Sequence, residues 1–136
     1  MTTKTQRQRT ASGKLPRSFR LIQLGLAREP KHPAGNPDFG YHIIAPLDAN
    51  GRIDPVLWKQ HREACKVVRF RPNEEDDLGH LQRRGVGWTF HYDICGDEAD
   101  EAGYRFGHER FDIGEYVSIR EDDGMHTYKV VLVRHV

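Results

Sequence analysis

The chain holds only two cysteines, Cys65 and Cys95, thirty positions apart and in no metal-like or redox-like spacing. A disulfide-stapled scaffold and a thiolate metal site are therefore not encoded locally, and reduced thiols are expected. No apolar run approaches the roughly 18 residues a membrane helix needs. The start, MTTKTQRQRTASGKLPRS, has basic residues but no apolar stretch of the kind a cleaved leader carries. Also missing are a Gly-x-Ser-x-Gly elbow around Ser118, a Walker or dinucleotide glycine loop, and the HxH and HExxH patterns of metal helices. These absences give no reason to assign a catalytic nucleophile, a metal or a cofactor. They leave a cytoplasmic protein as the expectation, with no membrane partner.

At 136 residues the chain is long enough for one domain with its own core. The net charge of +1 conceals a split. Residues 1–31 carry eight Lys/Arg against the single acid Glu29, and the remaining residues carry 13 against 19 acids. Residues 1–17 read as a disordered basic tail, because a Ser/Thr/Gln-rich stretch with few large apolar groups cannot offset its ordering entropy. Residues 18–136 read as a single mainly-β domain.

The strongest pattern lies at the end of the chain. With Asp123-Gly124 as a two-residue turn, Ile119 faces Tyr128, Val117 faces Val130, Glu115 faces Leu132 and Glu121 faces His126. Val117, Ile119, Tyr128, Val130 and Leu132 then share one apolar face, and a one-residue slip would turn that set outward. Upstream, Ser18–Arg28 reads as a strand and Glu29–Phe39, with three prolines and a glycine, as a loop. Gly40–Pro46 reads as a second strand. Asp54-Pro55 is a helix start, with aspartate as cap, proline at the first helical position and Ile53 and Trp58 placed as a staple. That helix should reach Ala64 or Cys65. Further strands are expected over Lys66–Phe70, Leu78–Arg83, Val86–Tyr92, Tyr104–Phe111, Tyr116–Glu121 and Met125–Arg134. The fold class is thus α+β and mainly β: an antiparallel β-barrel or strongly curved sheet with one α-helix packed on it.

Candidate chemistry is sparse. The loop Asp48–Asp54 mimics a calcium loop around Gly51, but Pro46 and Leu57 fall where its end ligands belong, so an Asn-Gly turn explains it better. The acidic runs Glu74–Asp77 and Asp97–Glu101 read as solvated loops. Four histidines, His80, His91, His108 and His126, sit in or beside strands and could meet only through tertiary structure. Trp88, Phe90, Tyr92, Tyr104 and Phe106 alternate along two successive strands, where they would build or line a barrel. Set outside, they would resemble a base-stacking platform. Together with the Glu121 and His126 pair they form the candidate ligand-binding set.

Read together, GYHIIAPLDANGRID, the Trp58–Cys65 helix, CKVVRF and DEAGYRFGHERFDIGEYVSI resemble a family of short conserved-hypothetical proteins of proteobacteria, over about residues 18–136. The family carries no assigned activity. The resemblance implies a cytoplasmic bacterial origin and transfers no catalytic residue. The sequence favours a non-catalytic binding or interaction module for a small polar or aromatic ligand, or a protein partner, at a barrel mouth. Its alternatives are a metal-dependent or hydrolase-like enzyme using the strand histidines with Glu121, and nucleic-acid binding through the basic tail and exposed aromatics.

Overall fold

Eight strands close into a ring in the computed structural model, which describes residues 15–85, 87–92, 101–103 and 106–136, the segment 101–103 by its backbone alone. They are β1 (Phe19–Leu26), β2 (Asn36–Pro46), β3 (Lys66–Phe70), β4 (Asp77–Arg84), β5 (Gly87–Tyr92), β6 (Glu101–Gly103), β7 (Tyr116–Glu121) and β8 (Gly124–His135). Each pairs antiparallel with its neighbour in sequence, and β8 pairs back onto β1. The result is an up-and-down barrel, the closed form of the expected fold.

The interior is a packed core. On β1, Ile22 and Leu24 are buried with Leu26; on β2, Tyr41, Ile43 and Ala45; on β7 and β8, Val117, Ile119, Tyr128 and Val130. Residues between them, such as Lys66, Arg120, Thr127 and Lys129, are exposed. This apolar inside and charged outside is the inverse of the polarity a lipid-facing barrel requires. No described helix is long and apolar enough to cross a membrane. An eight-stranded ring is just wide enough for side chains to fill it, and aromatic rings do so: Tyr41 meets Phe90 at 5.2 Å, Phe90 meets Phe106 at 5.5 Å, and Phe106 meets Phe111 at 5.0 Å.

One end of the ring is plugged. Asp54 caps α1 (Pro55–Gln60) by accepting from the amides of Val56 and Leu57 at 3.0 and 3.2 Å, with Pro55 at its first position. The helix is shorter than expected: it breaks at His61 and ends in a 3₁₀ turn over Arg62–Ala64. Trp58 is the buried residue of α1; its indole donates to the Leu81 carbonyl at 2.9 Å and packs edge-on against Trp88 at 5.3 Å. Ile53 is buried on the same side. In the loop before the helix, Asp48 accepts from the amides of Asn50 and Arg52 and Gly51 adopts a φ of 78°, a turn rather than a cation loop.

Three local expectations need correction. The final hairpin turns at Asp122-Asp123, so Ile119 faces His126 and Val117 faces Tyr128, a register two residues from the expected one. Two is the side-chain period, so the buried face survives. Leu132 does not join it, because the β8 to β1 ladder skips Val131 and the bulge brings Val133 toward the core instead. Residues 106–111, expected as strand, form a turn and loop that place Phe106 and Phe111 inside the plugged end, with the Phe111 amide donating to Gly51. β2 also begins earlier than expected, at Asn36, where a bulge opposite Gly25 and Leu26 accommodates Pro37. The basic-tail expectation falls mainly on residues 1–14, outside the described residues.

Candidate functional site

The other end of the ring gathers inward-facing polar groups among the described residues. It is formed where β1, β3, β5 and β7 end and β2, β4, β6 and β8 begin. Glu121, the last residue of β7, keeps the parity of Val117 and Ile119 and so turns its carboxylate into the barrel, with only 8 % of the residue exposed. On β3, Arg69 shares the parity of Val67 and enters from the opposite side. Tyr41 and Tyr128 complete the set.

Oε2 of Glu121 accepts from the hydroxyls of Tyr41 and Tyr128, each at 2.5 Å, and Oε1 accepts from the Arg69 guanidinium at 3.1 Å. The two phenol rings stand edge to face at 5.1 Å, and the guanidinium lies 5.9 Å from the Tyr41 ring centre. A carboxylate taken out of water is costly unless paired and hydrogen-bonded. Here three donors from three strands provide that compensation.

Above this layer lies His126. Its Nδ1 is 2.9 Å from Oε1 of Glu29, its Nε2 is 2.7 Å from Oδ1 of Asp123, and the same Nε2 is 3.7 Å from Oε1 of Glu121. Burial disfavours the imidazolium, but the hydrogen bonds to Glu29 and Asp123 and the nearby Glu121 charge outweigh it and raise the pKa of His126 above its usual 6.5. Asp123 is shifted down, chiefly by its hydrogen bond to His126. The hollow over these groups measures about 680 Å³ and is also lined by Lys31, His32, Phe39 and Arg71. Arg71 is engaged by Asp77 at 2.7 Å and Glu74 at 3.5 Å, which turns one expected acidic loop into an ion-pair partner of the wall. A second hollow of about 710 Å³ lies on the outer wall, and its lining includes no acid and no histidine.

The expected site residues separate into two groups. Trp88, Phe90, Tyr92 and Phe106 are buried in the core, Trp88 toward the plugged end and Tyr92 toward the mouth. They are packing, and those four cannot present an exposed stacking platform. Tyr104 lies outside the described residues, as do the acids from Asp97 to Asp100. Glu121 and His126 do meet, though diagonally, since Glu121 lies directly opposite Gly124. The other strand histidines do not join them: His80 pairs with His91 on the half-exposed outer side of β4 and β5, and His108 sits exposed on the loop after β6. Among the described residues, Glu121, Asp123 and His126 are the cluster whose donor atoms lie close enough to share a cation, within 4.8 Å of one another.

Sequence reasoning missed Tyr41, Arg69, Glu29 and Asp123. Arg69 left a trace, as a charge on the same strand face as Val67 in KVVRF. Glu29 left none, because only ring closure brings it to His126. No protein-family model, curated protein or solved structure matches the chain.

Proposed function

We propose that the protein is a non-catalytic binding module that takes a small polar ligand in the barrel mouth, over the carboxylate of Glu121. The supporting observation is the buried Glu121 held by Tyr41, Tyr128 and Arg69 beside a hollow lined by described residues of both charges. An apolar barrel could be completed with leucine there at less desolvation cost. Groups of both signs, Arg69 and Lys31 beside Glu29 and Asp123, suit a ligand carrying both a donor and an acceptor. A cytoplasmic bacterial setting, as the sequence resemblance implies, belongs to the same proposal.

The runner-up is an enzyme that uses His126 for proton transfer. It is favoured by the 2.9 Å contact with Glu29, which orients the ring as a general acid or base requires. The test is an NMR screen of the labelled, chelator-treated protein against small amines, carboxylates and zwitterions. Shifts should cluster on Tyr41, Arg69, His126 and Tyr128 and vanish in Arg69→Ala. Binding confined to the outer wall or to the surface beside α1, or no binding by any compound, would remove the proposal.

A further inference from the structure

The hairpin between β7 and β8 sets Glu121, Asp123 and His126 within a six-residue span, and their side chains converge on one side of the turn. Donor atoms around a tetrahedral zinc ion, each about 2.0–2.2 Å from it, lie about 3.3 Å from one another. The present separations from Nε2 of His126 are 2.7 Å to Asp123 and 3.7 Å to Glu121, and the whole set lies within 4.8 Å. Small side-chain adjustments therefore bring all three to bonding distance. Asp123 is free to make them, since 70 % of its side chain is exposed.

A second observation concerns the ring itself. Nδ1 of His126 contacts Oε1 of Glu29 at 2.9 Å, so an N–H at Nδ1 is held by a carboxylate, and Nε2, whose own N–H donates to Asp123 at 2.7 Å, is the ring nitrogen turned toward Asp123 and Glu121. A histidine that ligates a metal through one nitrogen ordinarily donates from the other to such a group. Glu29 comes from the loop after β1, far from the hairpin in sequence, so this arrangement is not a by-product of a tight turn. Oε1 of Glu121 keeps a lone pair beyond its bond to Arg69.

We propose that Glu121, Asp123 and His126 bind one divalent transition-metal ion of the zinc class, with Glu29 as the positioning residue for His126. The ion replaces the proton on Nε2, which passes to solvent. Three protein donors leave a fourth position directed into the mouth, where a water or a ligand atom completes the shell. One imidazole with two carboxylates suits zinc over magnesium or calcium, which prefer oxygen alone. The inference rests on reading the mouth as the binding site and names what is bound there first.

The probe is zinc alone, titrated calorimetrically into the full chain after chelator treatment, with cobalt absorption as a second readout. One saturable site is expected, undisturbed by a thousandfold excess of magnesium. His126→Ala and Asp123→Asn should weaken it at least 100-fold, and His80→Ala should leave it unchanged. Glu29→Gln should weaken it about 10- to 100-fold, and ring ¹⁵N shifts should show the metal moving off Nε2 in part of the population. Circular dichroism of each variant establishes that it is folded. Absence of saturable zinc binding, or binding that survives His126→Ala, overturns the metal site. Organic ligands captured at the mouth in chelator would in that case leave the broader proposal standing, so the two failures are distinguishable.

Discussion

The hydroxyl of Tyr41 donates to Oε2 of Glu121 across 2.5 Å, although 80 positions separate the two residues. Two strands, β8 and β1, lie between β7 and β2 in the ring, so this bond crosses the lumen rather than joining neighbours. Removing its acceptor takes a bond from several donors at once. Glu121→Ala should destabilise the protein by about 3–5 kcal/mol, because Arg69 and two hydroxyls each lose a charged acceptor in a buried cluster. Tyr41→Phe and Tyr128→Phe should each cost about 1.5–3 kcal/mol, as hydrogen bonds to charge do. Both hydroxyls share one oxygen, so the double variant should depart from additivity. Urea denaturation of the four variants measures this, and strict additivity would mean that the hydroxyls act independently.

Acidity should act through His126. Its pKa is raised on folding, so its contribution is fully present below the unfolded value near 6.5 and is lost as pH rises through the higher folded value. Asp123 has the opposite sign: its contribution is present above about 3.8 and fades as pH falls through its depressed value. The stability gap between wild type and His126→Ala, measured in chelator, should therefore be widest between about pH 4 and 6.5 and shrink on the alkaline side. A gap that grows from pH 6.5 to 9 would show that the imidazole is held neutral.

Cys65 should be chemically silent. Its thiol is free, fully buried and 3.5 Å from the His61 carbonyl, and burial pushes its pKa up to about 12. Thiolate is the reactive form, so labelling must wait for unfolding. In a Cys95→Ser background, a thiol reagent should leave Cys65 unmodified until denaturant is added. Rapid native labelling would place the sulfur at the surface.

Two glycines of neighbouring strands should respond differently to a methyl group. A Cβ on Gly40 would lie 1.9 Å from the Leu24 carbonyl oxygen and 2.7 Å from Cζ of Phe70, whereas one on Gly25 would meet Val131 at an ordinary 3.7 Å. Gly40→Ala should cost at least about 2 kcal/mol through backbone displacement. Gly25→Ala should be close to neutral, or stabilising by about 0.4–1 kcal/mol through the unfolded chain. Equal midpoints in thermal unfolding would contradict the close approach of β1 and β2.

The barrel's walls were legible because alternation is a local property. Val117, Ile119, Tyr128 and Val130 mark the buried face whichever even register is chosen, so an error of two at the turn did no damage. Position along the sequence could not show that Val131 bulges, since this depends on how β8 meets β1. Phe106 and Phe111 carry the aromatic character of strand residues, yet they serve as plugs, a role decided by the open space at the ring's end. The site was legible by half. Glu121 and His126 share one hairpin and could be paired on paper, but Tyr41, Arg69 and Glu29 reach them only through the curvature of the whole sheet.

Of the eight ladders, seven join strands consecutive along the chain, and the pairing of β1 with β8 alone links opposite ends of the domain. The seven can zip one after another at little loop-closure expense, but Leu26 must find Tyr128 across nearly the full contour. That meeting carries the greatest closure cost of the eight. Tyr128 holds Glu121 within the β7–β8 hairpin, but Tyr41 and Arg69 reach the same carboxylate across the lumen, so the polar cluster is complete only once the sheet has curled into a ring.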